Sequence, residues 1–93
     1  METNQEVAVV AAPVNYSEKN LSELASVVYR NWPKVNFAAA PYLEALVSLD
    51  NIDDSYGADS GRSVVAYFLA NASSWKGEVA KAVKKELNRR LKN

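Results

Sequence analysis

The 93-residue chain has no cysteine and no histidine. Without thiols there is neither a disulfide framework nor a thiolate metal site. Without imidazole, the commonest general base, the commonest zinc ligand and the switch that titrates near neutral pH are all missing. Carboxylates alone are a thin basis for catalysis. The expectation is therefore a protein that is not an enzyme and uses no metal and no cofactor. Long apolar runs are missing too. Nothing approaches the ~18–20 apolar residues of a membrane span. The start, Met1–Glu6, is acidic, the wrong sign for a secretory signal. The apolar stretch Val7–Val14 is short, near the lower end of a signal core of about 7–15 residues. These absences point to a soluble intracellular protein. No internal repeat or low-complexity tract stands out.

What is present reads as helices. A chain of this size buries roughly 60–65% of its unfolded surface, enough for one modest core. The densest apolar run is Asp59–Ala72, with no charge from Val64 to Ala70. Ser60 or Asp59 can cap its start by accepting from the free N–H groups of the first turn. A helix apolar on nearly every face has to be surrounded by chain. The run is accordingly expected as a buried central helix at about 60–72.

The other elements follow from periodicity and caps. Residues 1–16 show no helical period and are broken by Pro13. They are expected as a flexible N-terminal arm, or as an extended segment that adds to a partner. Residues 17–93 are expected as a single helical domain. Asn20 and Glu23 are spaced as a capping box, and Leu21, Leu24, Ala25 and Val28 form one stripe. Trp32-Pro33 ends that helix. A second helix is predicted over Asn36–Leu49, with Pro41 either opening it or splitting it. Leu43, Leu46 and Val47 share a face of it. Asn51–Ala58 reads as a loop, with Gly57 at a positive φ. The last helix is predicted from about Ser74 to Leu91, with Ser73 and Ser74 as caps. Its stripe is Trp75, Val79, Ala80, Val83, Leu87 and Leu91. The fold expected is all-α, a compact bundle of four helices, or five if Pro41 splits the second.

Charge is unevenly placed. Residues 1–59 carry nine acids and three bases, whereas residues 60–93 carry two acids and eight bases. The halves can neutralise each other on folding or between subunits, or the basic half can offer a face to an acidic partner.

Constellations that could carry chemistry are few. Asp50, Asp53, Asp54 and Asp59 crowd one loop, but no register places oxygen ligands at the positions of a calcium loop. Ser60-Gly61-Arg62-Ser63 lacks the lysine and glycine spacing of a phosphate loop. Ser60 and Ser63 have no histidine to activate them. The last helix is basic: Lys81, Lys84, Lys85, Arg89 and Lys92 could contact phosphates of a nucleic acid. The same pattern also arises on a plain solvated face, and a pI near 6.2 falls short of a strongly basic nucleic-acid domain. Of the nine aromatic residues, Trp32, Phe37, Tyr42, Phe68 and Trp75 are expected in the core. Tyr29, Trp32 and Tyr56 are the candidate anchors for a protein partner.

One resemblance adds to this. Tyr56–Ala72, with Trp75-Lys76-Gly77-Glu78 and Lys85-Glu86-Leu87, resembles small uncharacterised proteins encoded in tailed-bacteriophage genomes. Trp32-Pro33-Lys34-Val35 and Ala40–Ala45 fit the same pattern, which covers about residues 29–92. It implies a phage origin, hence the cytoplasm of a bacterial host. It implies no activity and carries over no functional residue. The function expected is that of a non-enzymatic protein-interaction module. Its partner would be itself as an oligomer, a virion component, or a host factor that it inhibits. The alternative is a small nucleic-acid-binding accessory protein.

Overall fold

The computed structural model describes residues 15–92. The expected N-terminal arm lies outside the described residues as far as residue 14. Asn15 and Tyr16 belong to the folded body. Asn15 caps a 3-10 turn, Tyr16–Glu18, and Tyr16 packs against the core.

Four α-helices follow: α1 Leu21–Asn31, α2 Ala40–Leu46, α3 Gly61–Ala70 and α4 Glu78–Leu91. Between α2 and α3 lies a two-stranded antiparallel ribbon, β1 Ser55–Tyr56 and β2 Asp59–Ser60. The fold is thus mostly helical rather than purely so. The ribbon falls where the sequence suggests only a loop. Ser55 pairs with Ser60 and Tyr56 with Asp59. The two-residue connection begins with Gly57 at φ 61°, the positive value such tight hairpins favour.

Each helix start has a local cause. Asn20 closes a reciprocal capping box on α1: its side chain accepts from the Glu23 N–H, and Glu23 accepts from the Asn20 N–H, both at 2.8 Å. The stretch Asn36–Ala39 forms a turn rather than helix. Asn36 Oδ1 accepts from the Ala39 N–H at 2.8 Å, and Pro41 lies in the first turn of α2. Pro41 therefore opens a short helix and does not split a long one. Ser60, not Asp59, caps α3 by accepting from the Ser63 N–H. The last helix begins at Glu78, after Gly77 at φ 112°, and has no side-chain cap. The predicted start near Ser74 is four residues early. Ser74 instead accepts from the Asn36 side chain at 3.1 Å.

The helices are arranged as a ring. α1 packs on α2, α2 on α3, α3 on α4, and α4 on α1. The expectation of a surrounded central helix therefore needs correction. α3 buries one face, Gly61, Val64, Val65 and Phe68, and exposes Arg62, Ala66, Tyr67 and Ala70. Its uncharged run reflects alanines and a tyrosine turned outward as much as core.

The core is continuous. Phe68 is fully buried, and its ring meets Trp32 edge-on with centroids 6.3 Å apart. Trp32 stacks on Trp75 at 5.8 Å. The Trp75 indole N–H donates to the Asn31 carbonyl at 3.0 Å, so this buried ring satisfies both its apolar body and its polar edge. Burying a leucine- or phenylalanine-sized side chain here contributes about 1.5–3 kcal/mol.

Candidate functional site

The acidic loop is organised by its own backbone. Asp54 Oδ2 accepts from the N–H groups of Asp50 and Asn51 at 3.0 and 3.1 Å. The Asn51 side chain accepts from the Asp53 N–H at 2.9 Å. The Asp50 carbonyl accepts from the Leu21 N–H at 2.9 Å, joining the loop to the start of α1. Among the described residues, no group of three or more carboxylates is placed to hold a metal ion.

The three expected aromatic anchors are not brought together. Trp32 is buried in the core, 6% exposed, so its ring is not offered to a partner. Tyr29 and Tyr56 are about half exposed. No ring contact links these three to one another among the described residues. A different aromatic pair forms instead. Tyr42 of α2 and Tyr67 of α3 lie ring to ring, with centroids 5.3 Å apart. Tyr67 is 52% exposed. Around it the surface carries little charge. α2 has Glu44 as its one charged residue, and α3 has none from Ala66 to Ala70. Phe37, expected in the core, is 91% exposed, and Val47, expected on a buried face, is 48% exposed. Phe37 lies before α2, outside its period, whereas Val47 keeps helical dihedrals at the C-cap (φ −58°, ψ −28°) and turns outward from the buried Leu43 and Leu46. The exposure of Tyr67 could have been read from its place outside the Val64, Val65 and Phe68 face of its helix. That of Phe37 has no comparable signal in the sequence.

The expected basic face divides in two. Lys81, Lys85 and Lys92 are exposed on α4 and make no ion pair among the described residues. Arg89 grips Glu86 with two hydrogen bonds, of 3.0 and 2.6 Å. Lys84 lies partly under the surface. Its ammonium donates to the Trp75 carbonyl at 2.6 Å and sits 5.9 Å from the Trp75 ring centre. Burial and the nearby charge of Lys76 push its pKa below the ordinary lysine value.

Glu86 is the one buried charged residue among those described. It sits between Arg89 and Arg90. Hydrogen bonds from Arg89, and then from Arg90, hold its carboxyl below the usual range against the opposing effect of burial. Arg90 does more than pair with it. Its Nε donates to Glu86 at 2.6 Å, and its Nη2 reaches the carbonyls of Tyr16 at 3.1 Å and Lys19 at 2.6 Å. A neighbouring cleft is lined by Arg62, Arg89, Arg90 and the Asp50–Asp53 loop. The Arg62 Nη1 donates to the Leu91 carbonyl at 2.7 Å. The guanidinium groups of this cleft are thus engaged in holding the fold.

No family model matches the chain, and neither does any curated protein or solved structure. Among the described residues, no helix is long and apolar enough to cross a membrane.

Proposed function

We propose that the chain is a non-enzymatic protein-interaction module built as a small helical bundle. Its contact surface is the weakly charged outer side of α2 and α3. The observation that carries this reading is the Tyr42–Tyr67 pair. A half-exposed tyrosine whose ring is braced by a second one presents a large amphipathic area with little side-chain entropy to lose. Interface hot spots are enriched in such residues. The exposed Phe37 and Val47 at either end of α2 extend the apolar character. The partner is a second copy, a virion component, or a host factor that the protein inhibits. A phage origin and action in the cytoplasm of a bacterial host go with this reading.

The test is a Tyr67→Glu variant compared with the unaltered protein. Light scattering reads self-association, and capture from lysate reads a foreign partner. Loss of association in a variant that remains helical supports the reading. Association that is indifferent to Tyr67, or its absence in both proteins, overturns it.

Nucleic-acid binding is the second reading. It is favoured by the exposed Lys81, Lys85 and Lys92, with Lys84 and Arg89 already committed to protein groups. It requires a gel shift whose affinity falls steeply with salt.

A further inference from the structure

A cavity of about 360 Å³ opens where the chain enters α4. It is lined by Trp75, Lys76, Gly77, Ala80, Lys81 and Lys84. Three of the six are lysines, and none is acidic. Glu78, the nearest carboxylate in sequence, is exposed and does not line it. None of the three lysines has an ion-pair partner within 4 Å among the described residues. Elsewhere on α4 the arrangement is the opposite: Arg89 and Arg90 share Glu86.

The lysines differ in how freely they move. Lys84 is fixed, with one N–H on the Trp75 carbonyl and the indole ring close by. An ammonium has three donors, so two of its N–H bonds remain to be directed elsewhere. Lys76 and Lys81 are exposed at the rim and can close over an occupant. Lys76 lies near enough to act on the charge of Lys84, and this like-charge crowding combines with burial to disfavour the charged form of Lys84. A site that holds positive charge together without a counter-charge gains from an anion placed among it.

We propose that this cavity binds a compact phosphate-bearing anion, with Lys84 as its fixed ligand and Lys76 and Lys81 as the mobile ones. The volume suits a small di- or triphosphate group. Three separately mounted ammonium groups fit several oxygens better than they fit one carboxylate. The site is separate from the Tyr42–Tyr67 surface and does not depend on that reading.

The probe is inorganic pyrophosphate, titrated into the full chain at fixed ionic strength made up with chloride. Amide chemical shifts and tryptophan fluorescence are followed. Trp75 lies beneath Lys84, so its emission reports an occupant directly. The expected result is a saturable change centred on residues 75–84. Lys76→Gln and Lys81→Gln should each weaken it about twofold to fivefold, the scale of one exposed charge pair. Both positions are exposed, and circular dichroism checks that these variants fold. Lys85→Gln and Lys92→Gln, outside the cavity, should leave the affinity unchanged. A non-saturable response overturns the proposal. So does equal weakening by all four substitutions, which would mark diffuse attraction to the whole helix. Saturable binding of single-stranded DNA through Lys85 and Lys92, with none of pyrophosphate, overturns it as well.

Discussion

At the scale of single residues, Gly61 is the most constrained position. A Cβ there would lie 2.9 Å from the Ile52 carbonyl oxygen and 3.0 Å from those of Asn51 and Asp54. The Gly61 N–H also donates to the Asp54 carbonyl at 2.6 Å. The backbone of the loop is thus folded directly onto the first residue of α3, and no flexible side chain is there to give way. Gly61→Ala should destabilise the protein by about 2–3 kcal/mol through forced backbone displacement. The readout is the midpoint of urea unfolding. Gly57→Ala is the contrasting case. Its Cβ would meet nothing within 4 Å, and only the φ of 61° opposes it. About 1 kcal/mol is expected there. The sequence points to Gly57 as a turn residue, but it contains no signal for the crowding at Gly61. That crowding comes from three carbonyls, which every residue type shares.

At the scale of elements, α4 is held by its buried carboxylate. Glu86 has a folded pKa below its ordinary value of 4.5, chiefly because Arg89 donates to it. A group lowered on folding adds stability that is fully present above its unfolded pKa. That stability is lost as pH falls through the folded pKa. Unfolding free energy should therefore decline as pH drops below about 4.5. Glu86→Gln should flatten that decline and cost about 2–3 kcal/mol at neutral pH, since Arg90 is left partly buried without its carboxylate. Chemical denaturation across the acid range checks both. The element starts show how far a sequence can be read. The capping box at Asn20 and Glu23 is local chemistry, and it reads directly. The cap at Ser60 does too. The last helix starts late because Asn36, far away in sequence, takes up Ser74, and because Trp75 is drawn into the stack with Trp32. Those are tertiary causes. The same holds for the site residues. Tyr29, Lys81, Lys85 and Lys92 read as exposed and are so. Trp32 reads as a core residue and is one, which removes it as an anchor. The diversion of Lys84 and Arg89 depends on partners that spacing does not reveal.

At the scale of the molecule, the helices form a ring in which each packs against its neighbours in sequence, and α4 closes back on α1. Closure rests on few long-range bonds. The Trp75 indole meets the end of α1 across 44 residues of chain, and Arg90 meets Lys19 across 71. Arg90→Lys keeps the charge but loses the planar fork that reaches carboxylate and carbonyls together. It should cost about 2 kcal/mol. The ring also implies an order of events. The contacts of α2, the ribbon and α3 close short loops, while the α1–α4 seam closes the longest one, whose entropic cost comes before its contacts form. If the seam forms after the rate-limiting step, weakening it leaves the folding rate unchanged and speeds unfolding. Stopped-flow kinetics of Arg90→Lys should then shift the unfolding arm alone. A slowed folding arm would place the seam in the nucleus. If instead only the unfolding arm moves, the Arg90 clamp is a latch that sets how long the folded state lasts.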